Sequence, residues 1–285
     1  MKRRALLLLL AGSACHGGRR RELSFAHSLV GMARSLGFAD EAQAKSSVAE
    51  LERLLDEAER EVARAPERSR AGVLSDLMFG RWGFVREVTD TNLGFVFLPS
   101  VLSRRRGSCV GLGTLFLALA EGLGWKASGI IRPGHFYVRS DEPRAARNVE
   151  LLRAGEAMPD AWYLERFPVP GGSAAEYGRP LSPGEVLGVV EYNVGNERRR
   201  QLRLAEARTA FQRAVHAFPG LAEAHASLGA VEQLLGNLAG AAESYRRARD
   251  ANPHLPGVEQ NLALLAAEHA SDATAPPDSP RAPNY

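Results

Sequence analysis

Cysteine is nearly absent from the 285-residue chain, which contains only Cys15 and Cys109. The two cysteines belong to different signals, described below, so no disulfide within the chain is expected. The seven histidines show no His-x-x-x-His spacing, and no Cys-x-x-Cys pair occurs. The sequence therefore predicts neither a metal site nor a bound cofactor.

A strong excess of one charge is also lacking, because the formal net charge is only +3. The arginines cluster in three short runs, at residues 19–21, 104–106 and 198–200. A nucleic-acid interface would require one broad basic face with interleaved aromatic side chains. Short scattered runs are typical of a solvated surface, so no nucleic-acid partner is expected.

No apolar run is long enough to cross a bilayer, which takes roughly 20 residues. The run at residues 5–10 follows Lys2-Arg3-Arg4 and precedes small residues and Cys15. This order resembles a bacterial lipoprotein signal over residues 1–15, in which Cys15 would become the lipidated first residue. A plain secretory signal is the alternative. Either signal predicts an exported protein, and a lipidated Cys15 would anchor it to a bacterial membrane, on the periplasmic or cell-surface side.

The remaining chain divides into four predicted segments, at residues 16–39, 40–185, 190–270 and 271–285. Residues 16–39 are expected to form a linker, and residues 40–185 a first domain. That domain begins with a helical pattern that runs to Pro66 and continues with a long apolar helix at Cys109. Short β patterns follow at residues 126–131, 135–139 and 148–152. Together these elements predict an α+β fold with an antiparallel sheet.

The C-terminal part shows a repeat with a period of 34 residues. The matching pairs include Ala207 and Ala241, Phe211 and Tyr245, Ala214 and Ala248, and Pro219 and Pro253. This pattern resembles tetratricopeptide repeats, in which small residues let paired helices approach closely. An all-α repeat domain is therefore expected over residues 190–270, with its final helix covering the end of the stack. The proline-rich residues 271–285 are expected to be disordered.

Cys109 and His135 form the best candidate for catalysis. Cys109 begins an apolar helix after Gly107 and Ser108, and both a helix N-terminus and a nearby histidine favour a reactive thiolate. His135 opens a strand after Pro133-Gly134 and could act as the general base and acid. A third group must orient its imidazole.

Glu150 in the next strand is the first candidate for that third group. Asn148 on the same strand face, and less favourably Asp160, are alternatives. The backbone N–H of Cys109 would be the first oxyanion donor, and Asn92 a weaker candidate for a second. Taken singly, a cysteine in an apolar helix and a histidine at a strand start are usually structural. Their combination in this order favours a catalytic site.

Residues 97–139 resemble the transglutaminase-like superfamily of cysteine enzymes, and in particular a bacterial, SirB-like branch. The motif residues are Val101-Leu102, Arg105, Gly107, Leu123-Gly124 and Pro133-Gly134-His135-Phe136. The resemblance implies a transglutaminase/papain-like core in which Cys109 is the nucleophile, His135 the base and Glu150 the acidic third member. Many relatives have aspartate in the last role. Members of this branch are often followed by tetratricopeptide repeats.

Two functions from different classes follow. In the first, a Cys109-His135-Glu150 site transfers an acyl group from an amide to water or to an amine, with hydrolysis favoured, and the repeats recruit a protein or peptide substrate. In the second, the repeats bind a protein partner and the transglutaminase-like domain is an inactive scaffold.

Overall fold

The computed structural model describes residues 23–87, 92–142, 147–172 and 174–274. The predicted signal over residues 1–15, including Cys15, lies outside the described residues. So does most of the predicted tail over residues 271–285. Its first four residues differ from the prediction, because residues 271–274 are the end of the last helix, Val258–Thr274.

The N-terminal part combines helices with two small sheets, as the α+β prediction requires. Its helices are α1 (Ser24–Ser35), α2 (Glu41–Arg64), α3 (Arg70–Ser75), α4 (Leu98–Arg104), α5 (Cys109–Gly122) and α6 (Asp160–Arg166). A π-helical turn, Asp76–Arg81, continues α3, and 3-10 turns occur at Leu93–Phe95 and Leu151–Arg153. The long α2 starts with a capping box formed by Asp40 and Gln43, close to the predicted start.

Two sheets accompany these helices. Strands β1 (Val85–Arg86) and β2 (Arg106–Gly107) form a short parallel pair. Strands β3 (Ala127–Arg132), β4 (His135–Ser140), β5 (Arg147–Glu150) and β6 (Glu156–Ala157) form an antiparallel sheet in the order β3-β4-β5-β6. The first three of these strands correspond to the three predicted β segments. β6 has two residues and no signal of its own in the sequence.

Helix α1 differs from the predicted linker over residues 16–39. One face of α1 is buried in the core of the first domain, with Phe25 6% and Leu29 2% exposed. Its N-terminus has no local side-chain cap. Instead, the carboxylate of Glu121, at the end of α5, accepts hydrogen bonds from the Ser24 hydroxyl and the Phe25 N–H. The helix start is therefore completed by a residue distant in sequence, which a local pattern does not reveal.

Helix α5 is the buried centre of the first domain. Its residues from Val110 to Ala120 are all buried, which agrees with the continuous apolar pattern. Glycines on α5 allow the neighbouring elements to approach. A Cβ on Gly111 would lie 2.1 Å from the Phe95 carbonyl oxygen, and one on Gly113 would lie 2.4 Å from the Phe136 ring on β4.

The C-terminal part consists of successive helices that pack on their sequence neighbours. These are α7 (Pro183–Arg200), α8 (Leu204–Ala217), α9 (Ala222–Leu234), α10 (Leu238–Ala251) and α11 (Val258–Thr274). One packing contact recurs with the 34-residue period. A Cβ on Gly195 would lie 2.5 Å from the Phe211 ring, and one on Gly229 would lie 2.9 Å from the Tyr245 ring. The period found in the sequence therefore corresponds to a repeated helix–helix contact.

The buried core is continuous between the two parts. Val186, Val190 and Val194 on α7 belong to the same hydrophobic cluster as α5 and the β4 residue Phe136. Phe218 and Leu221, in the connection between α8 and α9, belong to it as well. Among the described helices, none combines the length and the apolar character needed to cross a membrane.

Candidate active site

The candidate nucleophile lies in the first turn of α5. Ser108 is the N-cap residue, and its hydroxyl accepts a hydrogen bond from the Gly111 N–H at 3.2 Å, as expected from the sequence. The Ser108 N–H donates to the Phe95 carbonyl at 2.8 Å. These bonds fix the residue directly before Cys109, whose thiol is free and half-buried. The thiol therefore lies at the positive end of a buried helix.

His135 is the first residue of β4, directly after a tight turn. Gly134 has φ +69°, a left-handed conformation that glycine adopts without strain. The turn pairs Arg132 on β3 with His135 on β4. His135 is 7% exposed, so its ring is held within the protein rather than in solvent.

Glu150 ends β5 and contacts the imidazole directly. The Nε2–H of His135 donates to Glu150 Oε2 at 2.8 Å, and Glu150 Oε1 accepts from the Leu152 N–H at 3.0 Å. Both carboxylate oxygens therefore have partners, although the Glu150 side chain is only 1% exposed. A buried carboxylate with both oxygens engaged is a fixed acceptor, and it leaves the Nδ1 atom of His135 free to face the thiol.

Three influences set the protonation of His135. Burial lowers the pKa of the ring, but hydrogen bonding and negative charge from Cys109 and Glu150 outweigh this effect and raise the pKa to about 9. The imidazole is therefore largely protonated near neutral pH. An imidazolium next to a thiol favours the thiolate, which is the nucleophilic form.

The two alternative third members belong to a separate polar cluster. Asn148 Oδ1 accepts from Arg139 Nε at 2.8 Å, and Asn148 Nδ2 donates to Asp160 Oδ1 at 2.7 Å. Asp160 also accepts from Arg139 Nη2 at 2.6 Å. These contacts hold Asn148 and Asp160 around Arg139, whereas Glu150 is the member of the three that accepts the hydrogen bond from the imidazole.

Asn92, the weaker candidate for an oxyanion donor, caps a turn. Its Oδ1 accepts from the Gly94 N–H at 2.7 Å at the start of the 3-10 turn Leu93–Phe95. This is the usual role of asparagine in such loops.

Aromatic side chains stack with the imidazole. The Phe167 ring lies parallel to His135, with centroids 4.1 Å apart and an interplanar angle of 8°. Tyr163 and Tyr137 lie further away, at 6.2 and 6.4 Å, and stack on each other at 3.7 Å. Burial, reinforced by the Glu150 carboxylate, raises the pKa of Tyr163 and keeps its hydroxyl protonated.

Phe167 and its neighbour Arg132 are residues of the site that the sequence alone does not predict. Arg132 immediately precedes Pro133-Gly134-His135, and Phe167 follows a dense aromatic stretch that contains Trp162 and Tyr163. Each of these signals is weak, because aromatic residues at the end of a short helix are usually core residues. Within the described part of the chain, no group of three or more His, Cys, Asp or Glu side chains could hold a metal ion.

Comparison with known proteins identifies part of the chain. No curated protein matches it. Among solved structures it matches a crystal structure of menin that reveals the binding site for the Mixed Lineage Leukemia (MLL) protein, with a TM-score of 0.43 and 14% identity over 90% of this chain and 72% of menin. Residues 45–167 match the family model of the transglutaminase-like superfamily, a range that includes Cys109, His135 and Glu150. The chain thus contains a transglutaminase-like domain.

Proposed function

We propose that the protein is a cysteine acyl-transfer enzyme that hydrolyses an amide bond, with Cys109 as nucleophile, His135 as acid and base, and Glu150 as the orienting carboxylate. The observation that carries this proposal is the buried 2.8 Å hydrogen bond between His135 Nε2 and Glu150 Oε2. The pKa of the same imidazole is also raised by Cys109. Nucleophile, base and orienting group then follow one another in the order that acyl transfer requires.

The proposed first step forms a thioester. The Cys109 thiolate attacks the amide carbonyl carbon, and the resulting oxyanion is stabilised by the free N–H groups at the start of α5, including that of Cys109. The His135 imidazolium then gives its proton to the leaving nitrogen as the C–N bond breaks. The products of this step are an amine, a thioester on Cys109 and a neutral imidazole.

The proposed second step regenerates the site. The neutral imidazole takes a proton from water, the hydroxide oxygen attacks the thioester carbonyl, and the C–S bond breaks to release a carboxylic acid and the thiolate. The sum is an amide plus water giving an acid plus an amine. An amine in place of water would give transamidation, but water is the default acceptor.

We further propose an exported location for the protein and a role of the helical repeats in substrate binding. The order of residues 1–15 supports export and anchoring through a lipidated Cys15, which would place the site on the periplasmic or cell-surface side of a membrane. Loss of membrane fractionation in a Cys15→Ala variant would support this placement, and unchanged fractionation would refute it. The repeated contacts of Gly195 and Gly229 support a tetratricopeptide-like array that recruits a protein or peptide substrate.

An activated ester tests the acyl-transfer proposal without knowledge of the substrate. Wild-type protein mixed with p-nitrophenyl acetate should release a burst of p-nitrophenolate close to one equivalent, and mass spectrometry should locate one acetyl group on Cys109. Cys109→Ala should show no burst, and Glu150→Gln should lower the burst rate by at least about tenfold, because the imidazole loses its orienting charge. An acetyl group on lysines alone, with equal rates in all three proteins, would instead support the inactive scaffold.

A further inference from the structure

The hydrogen bond to Glu150 fixes only one edge of the His135 ring. A single bond at Nε2 leaves the imidazole free to tilt about the line between the two bonded atoms, which would move Nδ1 away from the thiol. A second contact is therefore needed to fix the plane of the ring. Within the described residues, the ring that covers His135 most closely is Phe167, at 4.1 Å and 8°.

The position of Phe167 is itself fixed by hydrogen bonds on both sides of its peptide. Its N–H donates to the Tyr163 carbonyl at 3.0 Å, which ends α6. Its carbonyl accepts two bonds from Arg132, from Nε at 3.1 Å and from Nη2 at 2.9 Å. Arg132 is only 8% exposed. A buried guanidinium that uses two N–H groups on one carbonyl holds that carbonyl in a single orientation.

Arg132, which holds the Phe167 carbonyl, is also close to His135 in the sheet. Arg132 and His135 are paired residues at the end of the β3–β4 hairpin. The same hairpin therefore carries both His135 and Arg132, the side chain that positions the Phe167 ring over the imidazole. The Trp162 ring, edge-on to Phe167 at 5.9 Å and 70°, packs against the Phe167 ring as well.

The groups facing His135 come from four elements. They are Cys109 on α5, Glu150 on β5, Tyr163 on α6 and Tyr137 on β4 itself. Phe167 adds a face contact without a charge of its own. The face of an aromatic ring attracts a cation, so this contact favours the imidazolium over the neutral imidazole.

We propose that Phe167 is a positioning residue, whose ring fixes the plane of the His135 imidazole toward Cys109 and whose own place is set by Arg132. This proposal rests on the proposed function, because the orientation of the ring matters only if Cys109 and His135 act together. Phe167 contacts the imidazole through its ring face, and its effect passes through the histidine.

Alkylation of Cys109 by iodoacetamide at two pH values tests this role. At about pH 9.5, one unit above the usual thiol pKa of about 8.5, any accessible thiol is mostly ionised. At about pH 6.5 the reaction depends on the imidazolium. The ratio of the rate at about pH 6.5 to the rate at about pH 9.5 therefore measures how strongly the imidazolium activates the thiol. A change in the accessibility of Cys109 to iodoacetamide affects both rates equally and cancels in the ratio. The variants are Phe167→Leu, Phe167→Tyr, Arg132→Lys and the control Leu164→Ala, which alters an exposed residue of α6, the helix that ends just before Phe167.

Phe167→Leu should lower the rate at about pH 6.5 by about tenfold, with little change at about pH 9.5. Phe167→Tyr, which keeps the ring, and Leu164→Ala should match the wild type. Arg132→Lys keeps the positive charge but cannot donate the two hydrogen bonds that the guanidinium makes to the Phe167 carbonyl, so it should also lower the ratio of the rate at about pH 6.5 to that at about pH 9.5. This variant provides the test if Phe167→Leu does not fold.

The outcomes separate this proposal from the one on which it rests. If Phe167→Leu and Arg132→Lys keep the wild-type ratio while His135→Ala lowers it, Phe167 has no positioning role and the acyl-transfer site stands. If His135→Ala keeps the wild-type ratio too, the proposed function itself fails.

Discussion

At the scale of single residues, the pair His135 and Glu150 combines deep burial with charge. An isolated buried carboxylate would be strongly disfavoured, and it is retained only when it is hydrogen-bonded and neutralised. Here the Glu150 carboxylate accepts from the imidazole and from the Leu152 N–H. Hydrogen bonds and negative charge from Cys109 and Glu150 raise the pKa of His135 against the effect of burial, and the protonated ring neutralises the carboxylate.

This coupling predicts a dependence of stability on pH. Since the pKa of His135 rises from 6.5 to about 9 on folding, its contribution is fully present below about pH 6.5 and is lost as the pH rises through about 9. Urea unfolding should therefore show the wild type losing on the order of 2 kcal/mol more than His135→Gln between these two pH values. Equal losses in the two proteins would show that the histidine does not gain a proton on folding.

The site residues were predictable to different degrees. Cys109, His135 and Glu150 each carry a local signal: a capped helix start, a Pro-Gly turn before a strand, and the next strand pattern along the chain. Phe167 and Arg132 carry none that is specific. Their contact spans 35 residues and depends on how α6 packs against the hairpin, which no sequence period describes.

At the scale of elements, the sequence predicts those that have local signals and does not predict those that depend on contacts distant in sequence. Helices α2 and α5 have local caps and regular apolar patterns, and both occur where expected. Helix α1 is capped by Glu121, 97 residues away from Ser24, so its start has no local signal. The pair β1–β2 joins two-residue strands, which are too short to show alternation.

The close approach of β4 to α5 makes a second prediction. A Cβ on Gly113 would lie 2.4 Å from Phe136, a fully buried ring in the residue next to His135. Gly113→Ala should therefore destabilise the protein by about 1–3 kcal/mol through overpacking, measured by thermal or urea unfolding.

Gly31 supplies a matched control for that substitution. It lies on the exposed face of α1, and a Cβ there would meet no atom within 4 Å. Gly31→Ala should stabilise the protein by about 0.5–1 kcal/mol through helix propensity alone. The same sign of change in both variants would contradict the close packing of β4 on α5.

At the scale of the whole molecule, one segment joins the transglutaminase-like domain to the helical part. This segment comprises residues 168–178, of which residue 173 is outside the described part. It begins directly after Phe167. It ends at the sheet, where the Gly178 N–H donates to the Ile131 carbonyl at 3.0 Å. Between these points it contacts the repeats. Gly171 packs on His254, Glu176 packs on Gly220, and the Tyr177 hydroxyl donates to Glu223 on α9. The ring that covers His135 is therefore continuous in sequence with the contact to the repeats.

The Tyr177–Glu223 bond tests whether this contact stabilises the molecule. Burial and the neighbouring Glu223 carboxylate raise the pKa of Tyr177, so its hydroxyl stays a donor. Tyr177→Phe removes the donor and leaves a carboxylate short of a partner, which should cost about 1–3 kcal/mol in urea unfolding. In a double-mutant cycle with Glu223→Gln, the two losses should be clearly less than additive. Additive losses would mean that the two side chains act independently.

The proposed enzyme requires that Cys109 and His135 act as a pair. Purified wild-type protein treated with iodoacetamide at about pH 6.5 should be labelled at Cys109 at least about tenfold faster than a free thiol under the same conditions, because the imidazolium favours the thiolate. His135→Ala should label at the rate of a free thiol. A wild-type rate equal to that of a free thiol, unchanged by His135→Ala, would contradict the pairing and with it the proposed enzyme.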